Sequence, residues 1–137
     1  MAKKKEISYI GAVLTHECDS NNHMNVMYYV NKFELANRNF MGDLGVAAYL
    51  DTNGLGIAVV EQNIKYKKEV FEDQLLYVES ELLRISDKAI TTKNSMYEKM
   101  SGKLSAEMEV TSLMFDKEKR RAVSIPDDLR TKMETYL

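Results

Sequence analysis

Cysteine and proline are almost missing from this sequence: Cys18 and Pro126 each stand alone, and tryptophan does not occur. A lone thiol makes no internal disulfide, so a packed core must hold the fold, and a reducing, cytoplasmic setting is expected. No apolar run approaches the roughly 20 residues of a membrane span. The opening Lys3-Lys4-Lys5 leads into Glu6 and strand-like sequence, not into the apolar stretch of a signal peptide. Charge of one sign is not in excess either, since 19 Lys and Arg face 21 Asp and Glu. That balance excludes a nucleic-acid partner bound through a dominant positive field. Two histidines and one cysteine, at no zinc spacing, give no metal constellation. Internal repeats, low-complexity segments and linkers are also absent. What remains is an ordinary globular composition, 45% hydrophobic and 29% charged, which argues against large-scale disorder. The length suits a single domain, residues 1–137, with one hydrophobic core.

The periodicity divides the chain simply. Ile7 to Glu17 mixes β-branched, aromatic and small residues, as a strand covered on both sides in part would. The turn-forming stretch Cys18 to Asn25 follows. Val26, Tyr29, Val30, Phe33, Ala36, Phe40 and Leu44 then recur at three- and four-residue spacing, one stripe of a long helix with stop signals at Gly42 and Gly45. Beyond Gly54 and Gly56 the period returns to two. Ile57 to Val70, Gln74 to Ile85, Ile90 to Met100 and Lys103 to Phe115 each read as a long strand. The breaks Phe71-Glu72-Asp73, Ser86-Asp87-Lys88 and Ser101-Gly102 are short enough for antiparallel hairpins. Pro126 opens a terminal helix over Asp127 to Leu137. This order predicts an α+β fold, one long helix lying in a curved antiparallel sheet. Its open edges favour pairing with a second copy.

Chemistry concentrates in Asp19-Ser20-Asn21-Asn22-His23-Met24-Asn25-Val26-Met27-Tyr28-Tyr29. A carboxylate, three amides and an imidazole fall within seven residues, just before the helix starts. A helix N-terminus offers unpaired N–H groups and positive dipole to a developing oxyanion. A carboxylate beside it can act as general base toward water or as nucleophile. These are the parts an acyl-transfer hydrolase needs.

The segment resembles the active-site signature of hot-dog-fold thioesterases, the superfamily of 4-hydroxybenzoyl-CoA thioesterase: Asp-x-x-Gly-His-(Val/Met)-Asn, an aromatic-rich helix start, then Phe-(Glu/Asp)-x-Ala. Asp19, His23-Met24-Asn25, Tyr28-Tyr29 and Phe33-Glu34-x-Ala36 stand in the matching places. Val60-Glu61-Gln62-x-Ile64-x-Tyr66 and Ala106-Glu107 are similar to the thioesterase-like branch that includes betainyl-CoA thioesterases. The likeness runs from about residue 7 to 133. One departure is Asn22, where the family has glycine; asparagine tolerates the left-handed conformation better than most residues.

The resemblance implies a hot-dog fold and hydrolysis of an acyl-coenzyme A, or acyl-carrier, thioester. It implies no cofactor beyond the coenzyme A of the substrate, and a homodimer or homotetramer with the site between subunits. Asp19 takes the place of the catalytic carboxylate, with His23 and Asn25 as the other catalytic-site residues. Asn25 also stands where an N-cap belongs, worth about 1 kcal/mol. Asn21, Met27, Tyr28 and Glu61 are the expected substrate contacts, and the amides of Asn25 to Met27 the expected polarisers of the carbonyl. Each residue also has a plainer reading. Asp19 alone would be a solvated turn residue, His23 a structural histidine, Glu61 one arm of a salt bridge. Cys18 reads as a free thiol and not a nucleophile, and His16 as an ordinary strand-end residue. Lys65, Lys67, Lys68 and Lys119-Arg120-Arg121 are solvated faces unless the fold groups them near coenzyme A phosphates. Met24, Met27 and Met41 line either an acyl pocket or the core. Two rivals remain on the same fold, an enoyl-CoA hydratase and a non-catalytic acyl-CoA-binding domain. The hydratase motif, Asp-x-x-x-x-His, is one residue longer than Asp19 to His23.

Overall fold

The computed structural model describes residues 4–137; Lys3 of the opening lysine run lies outside them. Five long strands and a short one form a single antiparallel sheet around one long helix. β1 (Lys5–Ala12) enters first, followed by a single 3-10 turn at Thr15–Glu17 and the loop to α1 (Val26–Asp43). At 1.5 Å per residue α1 is about 27 Å long, enough to cross the sheet. α2 (Val46–Asn53) follows, then β2 (Leu55–Tyr66), β3 (Leu75–Ile85), β4 (Ala89–Glu98), β5 (Leu104–Asp116), β6 (Arg121–Ala122) and α3 (Asp127–Glu134). This is the curled half-barrel of the hot-dog fold, α+β as the periodicity implies. Among the described residues no helix is long and apolar enough to cross a membrane.

Three differences from the sequence reading have physical reasons. The first strand stops at Ala12, because Leu14 to Cys18 turn inward on a buried charge. Only Gly45, at φ 85°, ends the first helix, while Gly42 lies inside its last turn. Gly45 then starts α2, a helix too short for the apolar periodicity to mark. An added Cβ there would come within 2.7 Å of Lys132 Nζ on α3.

The third difference concerns topology. The Phe71-Glu72-Asp73 break does not close a hairpin: the strand order is β1-β3-β4-β5-β2, so β2 and β3 are not neighbours. β3, β4 and β5 form the expected meander, but β2 pairs with the far side of β5 and forms an edge. Alternation identifies strands without naming their partners. Residues 67–74 therefore cross the end of the sheet, tied down by Lys67 N–H to Ser105 O (2.8 Å) and Asp73 N–H to Val13 O (2.8 Å).

Two apolar clusters fill the interior. Tyr29, Phe33 and Ala36 of α1 pack with Val13, Met24, Val70, Val78, Met96 and Met108. Phe40, Met41 and Leu44 pack with Leu82, Ile90, Met114 and, from the C-terminal segment, Ile125, Leu129 and Met133. Between them runs a buried polar belt. Asn37 Oδ1 accepts from Thr92 Oγ1 (2.6 Å), and Asn94 Oδ1 accepts from Ser80 Oγ (2.6 Å), which meets Ser8 Oγ.

Candidate active site

The loop from Cys18 to Met24 closes on an isolated β-bridge between those two residues, Asp19 N–H donating to His23 O at 3.0 Å. Asn22 sits at its tip with φ 61°, the left-handed conformation that the family's glycine adopts freely and asparagine tolerates. Asn22 N–H returns to Asp19 O at 2.9 Å, so the turn survives the substitution. Met24 N–H reaches across to Val70 O (2.9 Å), and Asn25 N–H to Glu17 O (2.9 Å). The loop is thus fastened to the crossing segment on one side and to the 3-10 turn on the other.

A buried ion pair secures that turn. Lys32 Nζ lies 2.9 and 2.8 Å from the two oxygens of Glu17, and Glu17 Oε1 also accepts Leu14 N–H at 2.8 Å. Both residues are almost fully buried. Burial opposes ionisation of Glu17, but the Leu14 amide and Lys32 outweigh it and keep the carboxyl below its ordinary range.

Within this frame the structure brings Asp19, Asn21, His23 and Asn25 together. Asp19 Oδ1 accepts Asn21 N–H at 2.9 Å and Oδ2 accepts Asn25 Nδ2 at 3.0 Å. These two donors, the Asn21 amide foremost, hold the Asp19 carboxyl below the usual carboxylate range. Asn25 caps α1 as expected, its Oδ1 accepting Met27 N–H at 3.0 Å. One asparagine thereby orients both the carboxylate and the helix end. Capping also corrects one expectation: the Met27 amide is occupied, and Asn25 N–H is spent on Glu17. Among the described residues the amide left without a partner at this end is that of Val26, at the positive end of the helix dipole.

His23 turns its Nδ1 to Glu69 Oε1 at 2.9 Å and its Nε2 toward Asp19 Oδ1 at 3.7 Å. Glu69 escaped the sequence reading because a β2–β3 hairpin would have placed it at a strand end. The loss of alternation at Lys67-Lys68-Glu69, after Tyr66, was the available signal. His23 and Glu69 line a cleft of about 280 Å³ with Met24, Val26, Tyr29, Tyr66, Lys67 and Lys68. Of the basic runs, only Lys67 and Lys68 are grouped with the loop; Lys65 lines a groove with Lys93, and Arg120 and Arg121 another.

The remaining expected contacts separate. Tyr28 is half-buried and meets His16 edge-on, 5.7 Å between centroids. The Met27 side chain is exposed, Met24 is in the core, and Met41 lines a separate cavity between α1, α2 and β2. Glu61 is exposed on the edge strand, five residues before Tyr66 and so roughly 16 Å along β2 from the cleft of its own chain. Partial burial, with Glu72, Asp19 and Glu17 nearby, pushes the Cys18 thiol up, the wrong direction for a nucleophile.

Comparison with known proteins agrees with the fold. The family model of the thioesterase-like superfamily matches residues 13–133. No curated protein matches the sequence. Solved structures superpose closely at low identity. A probable thioesterase from Escherichia coli, YbaW, is 20% identical, with TM-score 0.85 over 96% of this chain and 98% of that one. Protein SAV2348 of Staphylococcus aureus, solved in complex with CoA, is 19% identical, with TM-score 0.86 over 99% and 87%. The 1,4-dihydroxy-2-naphthoyl-CoA thioesterase Slr0204 from Synechocystis is 12% identical, with TM-score 0.80 over 95% and 96%. With its hot-dog architecture and a match over nearly its whole length, the chain belongs to the thioesterase-like superfamily and is a thioester hydrolase.

Proposed function

We propose that the protein hydrolyses an acyl-coenzyme A, or a closely related acyl-carrier thioester, to the free acid and the thiol, with Asp19 as the reactive carboxylate. The observation that carries this reading is an ionised Asp19, fixed by the Asn21 and Asn25 donors and 3.7 Å from His23, which lines one open cleft together with Val26, whose amide is unoccupied. The carboxylate acts on water as base, or on the thioester carbon as nucleophile. The Val26 amide, in place of Met27, receives the charge that develops on the carbonyl oxygen. Asn21 and Asn25 serve through Asp19, and His23 borders the reacting group. Lys67 and Lys68, on the rim of the cleft, suit the phosphates of a coenzyme A.

β2 supports a dimer or tetramer with the site between subunits. It is an open edge that exposes Val59 and Val60, the kind of strand that a second copy covers. Glu61 and Tyr28 contact substrate in such an assembly, Glu61 from the partner's side, since its own cleft is out of reach. The lone, half-buried Cys18 fits a reducing, cytoplasmic setting.

The test is thiol release across short, long, aromatic and betainyl CoA thioesters, with enoyl-CoA hydration followed separately. Turnover on at least one thioester is expected. Hydration without thiol release favours the hydratase, and saturable CoA binding without any turnover favours a binding domain.

A further inference from the structure

Glu69 belongs to no part of the motif, and 46 residues separate it from the histidine it meets. A carboxylate has no proton to give at neutral pH, so the 2.9 Å contact requires His23 Nδ1–H to donate to Glu69 Oε1. On the neutral ring the lone pair then sits on Nε2. That atom faces Asp19 Oδ1 at 3.7 Å, too far for a direct hydrogen bond and with an acceptor on each side. Two acceptors at this separation suit one molecule with two O–H donors, and water about 2.8 Å from each fits. The main chain keeps this spacing. Met24 N–H on Val70 O holds the crossing segment beside the loop, and Asp19 N–H on His23 O holds the turn closed. The other titratable groups of the cleft are Tyr29, Tyr66, Lys67 and Lys68.

We propose that Glu69 is a positioning residue that fixes the His23 tautomer, so that His23 Nε2 and Asp19 Oδ1 together hold the attacking water. The inference rests on the thioesterase reading above and decides between its two chemistries: Asp19 acts on water and forms no acyl-enzyme. The water oxygen attacks the thioester carbon, and the carbonyl electron pair moves to the oxygen facing the Val26 amide. One water proton passes to the Asp19–His23 pair. When the C=O bond re-forms, the C–S bond breaks and sulfur leaves with its electron pair and that proton. The second water proton stays with the acid, so atoms and charge balance without a further reactant.

The experiment uses the full chain with 15N-labelled histidine, His23 being assigned by a His16→Gln variant, and compares wild type with Glu69→Leu and Glu69→Gln. Glu69 is largely exposed, so neither substitution threatens the core. In the wild type the neutral His23 ring should carry its proton on Nδ1. Glu69→Leu should move it largely to Nε2 and lower kcat about tenfold or more with KM nearly unchanged, within the range of a proton-transfer partner. Glu69→Gln, whose amide oxygen still accepts, should restore the tautomer and most of kcat. One turnover in 18O-water should label the product acid and leave the Asp19 carboxylate unlabelled. A wild-type ring protonated on Nε2, a Glu69→Leu variant with unchanged tautomer and kcat, or label in Asp19 would each overturn the proposal. If Asp19→Asn keeps full activity, the thioesterase site itself is misplaced. If Asp19→Asn is inactive while Glu69→Leu is silent, only the role of Glu69 fails.

Discussion

At its N-terminal end α1 meets a loop fixed by directional bonds: Asn25 to Asp19, Asn21 to Asp19, His23 to Glu69 and the buried Lys32–Glu17 pair. At its C-terminal end the same helix is covered mainly by apolar side chains, Phe40, Met41 and Leu44 against Leu82, Ile90, Met114, Leu129 and Met133, with one bond from Tyr136 Oη to Asp43 O at 3.1 Å. The Asn37–Thr92–Asn94 belt separates the two. Apolar packing stabilises but is tolerant of small shifts, whereas hydrogen bonds fix an angle and a distance. A reacting carboxylate needs the second kind of support. The fold supplies it around Asp19, the proposed reactive carboxylate, and relies mainly on burial at the other end of the helix.

Breaking the ion pair gives the largest expected effect on stability. Lys32→Met leaves the Glu17 charge buried without its partner and should cost about 3–5 kcal/mol, read from urea unfolding. The double variant Lys32→Met with Glu17→Met should recover most of that stability while kcat stays low, because Leu14 N–H has lost its acceptor and the loop its brace. Full recovery of both would mean that the polar frame is not what positions the loop.

Leu82→Ala at the opposite end should cost about 2–4 kcal/mol through lost burial and a cavity. Turnover per folded molecule should change less than twofold, so stability and activity would separate at this end as they do not at the other. Asn25→Ala should cost only about 1 kcal/mol as a lost cap. It should nevertheless lower kcat at least tenfold, since Asp19 Oδ2 loses its donor; a kcat that tracks only the stability loss would remove Asn25 from the site.

The smallest effect is on acid sensitivity. The Glu17 carboxyl titrates lower when folded than when unfolded. Its contribution is therefore complete above the unfolded value, about 4.3, and is lost as pH falls through the folded value. Urea midpoints measured from about pH 6 down to about pH 3 should fall more steeply for wild type than for the double methionine variant.

Much of the site was legible because it is local. The cap at Asn25, the turn at Asn22 and the helix stripe from Tyr29 to Phe40 depend on residues a few positions apart, where spacing carries the information. Lys32 and Glu17 were not legible as a pair. Lys32 falls in a gap of the apolar stripe, and Glu17 read as a strand end; only the packed chain sets them 2.8 Å apart. Glu69 was hidden for a topological reason. Periodicity gave four long strands but not their partners, and a hairpin between β2 and β3 would carry Glu69 away from His23. The crossing of residues 67–74 beneath the loop brings it there.

The most direct test of the account is kcat for thioester hydrolysis by Asp19→Asn, measured beside thermal unfolding of the same preparation. The change is nearly isosteric and keeps an oxygen for the Asn21 amide while giving up the Asn25 bond, so the melting temperature should fall by only about a few degrees. The account predicts a fall in kcat of at least a hundredfold, the scale of removing a general base. Near-wild-type turnover from a normally folded Asp19→Asn protein would contradict it and move the chemistry away from this loop.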